Sequence, residues 1–276
     1  MNSAFEKNTF GKRLKSMLAV DFRRMFRSKF FYIVVASCLV IPILILVMVT
    51  LMDGTVSVDP QTGVETVTEG FDNAWQIIGT PASTEAEGTD PAAAMSITSM
   101  CNINMLYFLM AALVCVFISE DFRSGYSKNL FTVRAKKTDY VISKTLVCIA
   151  GCGCMLLAFF IGSVIGGVIC NAMLDLPFNF EGFTAVELTF CMLSKLVLTA
   201  VFVPIYVAAS VVAKQRTWLS MIISFAVGML LFMMIPALTP INGTIVNVLI
   251  CLIGGTVFSV GLGAISNLIL KKTSLV

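Results

Sequence analysis

The chain contains no histidine, and only 13% of its 276 residues are charged. The absence of histidine removes the commonest protein metal ligand and the usual general base near neutral pH. The signatures GxxxxGK[ST], GxSxG and HExxH are also missing, which excludes the phosphate-binding loop that holds ATP and two common hydrolytic sites. We therefore expect no catalytic residue, no metal site, no bound cofactor and no nucleic-acid partner for this chain.

Charge is scarce because hydrophobic residues dominate: they make up 58% of the chain, and the mean hydropathy is +0.92. A soluble domain has about 45–50% apolar and about 25% charged residues. Apolar runs of about 18 residues or more cross a bilayer as helices, because only a helix satisfies its own backbone there. The sequence predicts an all-α integral membrane protein whose domain, 30–276, has six transmembrane helices, at about 30–52, 98–119, 141–170, 188–213, 218–235 and 245–270.

Lysine and arginine are unevenly distributed among the segments that separate these runs. Eight precede the first run and six lie between 120 and 144, whereas 53–97 and 171–187 contain none. Short segments rich in lysine and arginine stay on the cytoplasmic side of a membrane. The alternation predicts that both termini are cytoplasmic in a multi-pass membrane protein.

The first 29 residues form a basic segment with helical periodicity. Its apolar residues fall on one side of a helix and most of its cations on the other, which is typical of a helix lying in the headgroup plane. We expect residues 1–29 to form a cytoplasmic interfacial helix; the alternative is a basic tail that only sets topology. The membrane-facing residues of the predicted helix are Phe10, Leu14, Leu18, Phe22 and Phe26.

The first outer loop, 53–97, contains eight acidic residues and no basic one. Alternating side chains on both sides of Asp59–Gly63 predict a short β-hairpin. Residues 71–78 are expected to form a short helix on the membrane, with Trp75 at the interface. The loop could cover an exit or act as a solvated spacer, and its charge would attract cationic ligands.

Two residues of the fourth predicted span are candidates for a translocation path. Lys195 is the clearest charge within a predicted span, and such charges often have a function. The alternative is that its long side chain reaches the headgroups. Pro204 interrupts the backbone hydrogen bonding of the same span. In the third predicted span, Gly162 and Gly166 have the small-xxx-small spacing that allows two helices to pack closely.

The charged segment 118–144 separates the second and third apolar runs. Glu120 stands at the end of one run, Gly125 follows five residues later, then come Leu130-Phe131 and Arg134, and Lys144 opens the next run. This order resembles that of type-2 ATP-binding-cassette (ABC) transporter permeases, the group that includes multidrug, peptide-antibiotic and immunity exporters. The chain departs from their usual pattern at Val133, where a proline is common, and in its large acidic outer loop.

The resemblance implies that residues 120–140 form a cytoplasmic coupling loop for separate ABC ATPase subunits, which bind ATP and Mg²⁺. Leu130 and Phe131 would supply an apolar knob, and Gly125 would permit the turn into a short helix. The charged residues that would orient the partner are Glu120, Asp121, Arg123, Lys128 and Arg134.

With the resemblance, these features imply an exporter permease of a bacterial cell membrane that works as a dimer with a second copy or a paralogue, in contact with membrane lipid. Its mostly apolar spans suit an amphiphilic cargo such as a peptide antibiotic, a drug or a lipid-like molecule, which would make the protein an antibiotic-resistance factor. One alternative is an ion-coupled secondary transporter, but the spans lack the buried acids that such carriers use. The other is a membrane sensor or immunity protein that transports nothing and binds cationic peptides through its acidic outer loop.

Overall fold

The computed structural model describes residues 10–58, 65–67, 70–79, 101–132, 137–232 and 234–272. Within these ranges the protein is predominantly helical, as predicted from its sequence. Two short 3-10 helices, Ala74–Ile77 and Ile103–Met105, accompany the longer elements. The α-helices are α1 (Phe10–Arg27), α2 (Lys29–Met52), α3 (Leu106–Arg123), α4 (Tyr126–Thr132), α5 (Lys137–Met173), α6 (Ala185–Ala213), α7 (Thr217–Phe232), α8 (Met234–Leu238) and α9 (Ile245–Lys272).

In the described part of the chain, five helical segments are long and apolar enough to cross a membrane: Lys29–Met52, Ile103–Arg123, Lys137–Met173, Ala185–Ala213 and Ile245–Leu270. The remaining predicted span, 218–235, corresponds to α7 and the beginning of α8. Helical residues are described there over Thr217–Phe232 and Met234–Leu238, and residue 233 lies outside the described residues. Five of the predicted spans are therefore present as single long helices, and the count of six stays a prediction.

The second predicted span begins later than we expected. The segment 101–105 is not α-helical, and α3 starts only at Leu106. The reason is local: the Asn102 side-chain oxygen accepts a hydrogen bond from the Asn104 backbone N–H at 2.9 Å, and a 3-10 turn follows. An asparagine that bonds the backbone two residues ahead favours a turn over a continuing helix. The third span is longer than predicted, because α5 extends over 37 residues.

Helix α6 lies at the centre of the bundle and packs against α3, α5, α7 and α9, while α2 pairs with α5. Helices α2 and α9 are the least buried of the five spanning segments. Their outer faces carry exposed apolar side chains such as Ile33, Leu44, Ile253 and Val260. In a membrane, lipid or another apolar surface covers such faces.

The α2–α5 contact uses the glycine pair identified in the sequence. A side chain at Gly162 would run into the Leu39 carbonyl oxygen of α2 and would lie 2.7 Å from Pro42 Cγ. At Gly166, it would lie 3.1 Å from the Ile43 Cα. The small-xxx-small pattern therefore brings two helices of this chain together.

The first outer loop contains the hairpin that the alternating residues predicted. Strands β1 (Val56–Val58) and β2 (Glu65–Val67) pair antiparallel, with Val56 opposite Val67. Much of the rest of the loop lies outside the described residues, so the prediction of a lid or a spacer stays open.

The expectation that Trp75 lies at the membrane interface is wrong. Its side chain is only 6% exposed, and it stacks on Phe178 and Phe180 of the α5–α6 connection at 4.6 and 5.4 Å. The Asn73 side-chain amide donates to the backbone carbonyl oxygen of Asn179 at 2.9 Å and to its side-chain Oδ1 at 2.8 Å. The two outer loops are therefore packed together, because Trp75 finds a more complete apolar environment among these rings than at a headgroup surface.

Candidate coupling site

The charged segment between α3 and α5 folds as expected from its glycine. Helix α3 ends at Arg123, and Gly125 has a backbone φ of +74°, which is the left-handed region that glycine adopts without a steric penalty. The chain then turns directly into the seven-residue helix α4. Arg134, one of the predicted contact residues, lies outside the described residues.

The predicted contact residues divide into an exposed group and a half-buried group. Glu120, Arg123 and Lys128 are exposed on the surface around α4, whereas Leu130 and Phe131 are half-buried. The Phe131 ring packs edge-on against Tyr140 of α5, with 5.5 Å between ring centroids. The apolar pair therefore holds α4 against the bundle with part of its surface and presents only the remainder to the outside.

Asp121 differs from the other predicted contact residues because its side chain is fully buried. Its Oδ2 lies 2.6 Å from Lys144 Nζ and accepts a hydrogen bond from the Tyr140 hydroxyl at 3.1 Å. Lys144 is itself fully buried and has a second carboxylate partner, Asp21 of α1, at 2.8 Å. The Ser143 hydroxyl donates to the other oxygen of Asp21 at 2.7 Å. One lysine therefore connects α1, α3 and α5.

Arg24 adds a second cation from α1. Its Nη1 lies 2.7 Å from Asp121 Oδ1, and its guanidinium stacks over the Tyr126 ring at 4.0 Å from the centroid. Burial acts to lower the pKa of Arg24, but the charge and hydrogen bond of Asp121, together with Tyr126 and Asp21, outweigh it and raise that pKa above its ordinary value. Burial also raises the pKa of the Tyr126 hydroxyl. Arg24 therefore stays charged and Tyr126 stays neutral near neutral pH.

We name Asp21, Arg24, Asp121 and Lys144 the ion cluster. It contains two carboxylates and two cations, so its formal charge is balanced. Balance and hydrogen bonding are what make buried charges tolerable, and removal of one partner from such a group is strongly destabilising. Outside the cluster, Arg13 Nε and Asp139 Oδ2 form another link between α1 and α5 at 3.1 Å.

Asp21 was not among the predicted contact residues, and no specific partner was predicted for Arg24. A signal for Asp21 was present in the spacing: Met17, Asp21 and Met25 recur every four residues and form the buried stripe of α1. An acid on the buried stripe of a basic helix needs a cationic partner. Only the folded chain identifies that partner as Lys144, 123 residues away.

The predicted membrane-facing residues of α1 surround this stripe. Phe10 and Phe26 are exposed, and Leu14, Leu18 and Phe22 are half-buried. Phe26 also packs against Phe31 at the beginning of α2, with 5.0 Å between ring centroids. A cavity of about 260 Å³ lies between the α1–α2 elbow and the end of α3, with Arg24 and Glu120 in its lining.

The two candidate path residues of α6 are both buried. Lys195 Nζ donates to Asn104 Oδ1 at 3.1 Å and to Thr239 Oγ1 at 2.8 Å. Its amino group therefore does not reach toward the surface, as the snorkelling alternative required. Pro204 lies within the unbroken helix α6, on its buried side. The structure brings neither residue into the ion cluster.

Comparison with known proteins agrees with this architecture. A family model described as ABC-2 family transporter protein matches residues 17–231. No curated protein and no solved structure gives a significant match. The matched segment begins in α1, ends in α7, and includes the whole ion cluster and α4. With five helices among its described residues that are long and apolar enough to cross a membrane, and a family match over most of its length, this chain is a membrane protein that belongs to the ABC-2 transporter family.

Proposed function

We propose that this chain is the permease subunit of an ATP-driven exporter and that a separate cytoplasmic ABC ATPase binds it at α4. The observation that carries the proposal is the ion cluster, which joins the segment around α4 to three other helices. A surface loop that only set topology would need no such connection. A loop that receives mechanical work must be attached rigidly to the helices that it moves.

The surface of α4 suits a docking site for a partner. Lys128 and Arg123 are exposed cations, and the outer parts of Leu130 and Phe131 provide apolar contact area. Apolar residues surrounded by charged ones are typical of specific interfaces, in which the charges orient the partner. ATP binding and hydrolysis would take place in the partner, and this chain would contribute no catalytic group.

The side-chain contacts that α4 makes with neighbouring helices determine which helices would move if α4 moved. Tyr126, the first residue of α4, lies under the Arg24 guanidinium, and its ring centroid is 5.5 Å from Lys144 Nζ. Phe131, near the other end of α4, contacts Tyr140. Movement of α4 would therefore displace α1 and α5 together with α3.

The other parts of the proposal are a second permease copy or paralogue and an amphiphilic cargo that leaves a bacterial cell between the two permeases.

The experiment is co-purification followed by an activity measurement. Tagged protein is extracted from its native membrane in mild detergent, the captured ATPase is identified by mass spectrometry, and ATP hydrolysis by the reconstituted complex is measured. Lys128→Glu reverses an exposed charge on α4, and Lys214→Glu makes the same change at the turn between α6 and α7. We expect Lys128→Glu to weaken ATPase capture by about tenfold, the effect of an unfavourable charge at an interface, and Lys214→Glu to have no effect.

Absence of any ATPase in the wild-type preparation would contradict the exporter proposal and favour a membrane sensor. Equal losses in the two variants would contradict the assignment of α4. Both variants change exposed residues, so the folding of the chain should be the same as in the wild type.

A further inference from the structure

Lys195 and Lys144 are the two fully buried lysines among the described residues, but their surroundings differ. Lys144 Nζ has two carboxylates within 2.8 Å. Lys195 Nζ has an amide oxygen and a hydroxyl as partners, and no carboxylate of the described residues forms an ion pair with it. A protonated lysine has three donors, so two partners leave one donor for another acceptor.

The position of Lys195 places this unmatched charge within a predicted membrane span. It lies seven residues after position 188, where that span begins, which corresponds to about 10 Å along the helix. That is about a third of a hydrocarbon core of about 30 Å. A charge at this depth without a counter-charge is costly, and intramembrane charges commonly mark the route of a substrate.

An apolar groove adjoins Lys195. It has a volume of about 250 Å³ and lies between α6, α8 and α9, with Leu198, Leu238 and Cys251 in its lining. Leu198 follows Lys195 by almost one helical turn, and Leu238 precedes Thr239, which binds the Lys195 amino group. The groove therefore reaches sequence neighbours of Lys195 and Thr239, while Lys195, Asn104 and Thr239 themselves do not line it. Its size suits part of an alkyl chain rather than a whole drug-sized molecule, which needs about 300–1,000 Å³.

We propose that Lys195 binds the acidic group of the exported cargo, an amphiphile whose apolar chain occupies the adjoining groove. This inference rests on the proposed function and specifies its cargo as anionic. The charge of Lys195 complements an acidic head group, and the groove complements an apolar tail. The depth of Lys195 favours cargo in transit over a resident phospholipid, because a resident lipid keeps its head group at the membrane surface.

The test is a binding measurement that requires no ATPase, so its failure leaves the coupling proposal intact. Native mass spectrometry on the full chain in nonionic detergent compares hexadecyl phosphate with hexadecan-1-ol, which has the same chain and no charge. We expect hexadecyl phosphate to bind more tightly to the wild-type protein. Equal affinity for the two probes would overturn the proposal without the use of any variant.

Three variants examine the role of the amino group. Lys195→Met retains the length of the side chain and should weaken hexadecyl phosphate binding by at least about 30-fold, since loss of one member of a buried charge pair is expensive. Lys195→Arg should retain binding. Lys214→Met, at the end of the same helix, should bind as the wild type does.

Two outcomes would contradict this assignment. If Lys195 only ties α6 to Asn104 and Thr239, Lys195→Met will lower the melting temperature and leave the affinity for hexadecyl phosphate unchanged. If the site holds a resident lipid, phosphatidylglycerol will co-purify with the wild type, will be lost from Lys195→Met, and will not be displaced by hexadecyl phosphate.

Discussion

Lys144 Nζ lies 2.8 Å from Asp21 Oδ1, and both side chains are completely buried although one belongs to α5 and the other to the N-terminal helix. This pair connects the beginning of the chain to the base of the segment that we propose as the ATPase contact. Asp121 adds a second carboxylate to Lys144 from the end of α3. The N-terminal helix is therefore an integral part of the proposed coupling region.

We predict that Lys144→Met destabilises the protein by about 3–5 kcal/mol, because it leaves two buried carboxylates with one partly exposed cation. Thermal unfolding in detergent measures the change. Lys128→Met is the matched control, and since Lys128 is exposed, its effect should stay within about 0.5 kcal/mol. Similar melting temperatures for the two variants would show that the ion cluster contributes little to the fold.

Arg24 and Arg23 provide a second matched pair on α1. Arg24 contacts Asp121 and stacks on Tyr126, whereas Arg23 is exposed. We predict that Arg24→Gln reduces cargo-stimulated ATP hydrolysis in the reconstituted complex and destabilises the chain by about 1–2 kcal/mol.

Arg23→Gln should change neither property. Arg24→Lys should give an intermediate result, because lysine keeps the charge but loses the planar stacking on Tyr126. A full loss of coupling in Arg23→Gln would instead indicate that the net charge of α1 matters more than the ion cluster.

The contact between α2 and α5 gives a prediction for Gly162. Substitution by alanine places a methyl group against the Leu39 carbonyl and Pro42. Overpacking of this kind costs about 1–3 kcal/mol, and Gly162→Ala should lower the melting temperature accordingly. Gly261→Ala is the control, since a methyl group there meets nothing within 4 Å. A melting temperature of Gly162→Ala at or above that of Gly261→Ala would rule out the close approach of the two helices.

The packing of the outer loops can be followed by fluorescence, since the chain has only two tryptophans. Trp218 is 61% exposed and Trp75 is 6% exposed. In Trp218→Phe, the remaining emission should be blue-shifted and protected from aqueous acrylamide, because Trp75 lies among Phe178 and Phe180. Red-shifted emission that acrylamide quenches readily would mean that the loops are separate in solution.

The sequence predicted features that depend on local chemistry. Gly125 indicated a turn because few other residues adopt a positive φ, and the alternation around Asp59–Gly63 indicated a hairpin because side chains on a strand point to alternate faces. Hydropathy located the long helices because their composition must match their solvent.

The features that the sequence did not predict depend on contacts between distant segments. Asp121 was expected to be a surface charge, but it is buried, since Lys144 and Arg24 converge on it from two other helices. Trp75 was expected at a membrane surface, but the loop before α6 covers it. In each case the deciding partner lies elsewhere in the fold.

Site-specific photocrosslinking tests the central claim, that a separate ATPase binds at α4, most directly. A p-benzoylphenylalanine introduced at Lys128 is irradiated in native membranes, and an identical probe at Lys214 serves as the control. Both positions are exposed, so the probe should not disturb the fold. We predict a covalent adduct with an ABC ATPase from position 128 and none from position 214. The absence of an ATPase adduct at position 128, or equal yields at the two positions, would contradict the proposed coupling site.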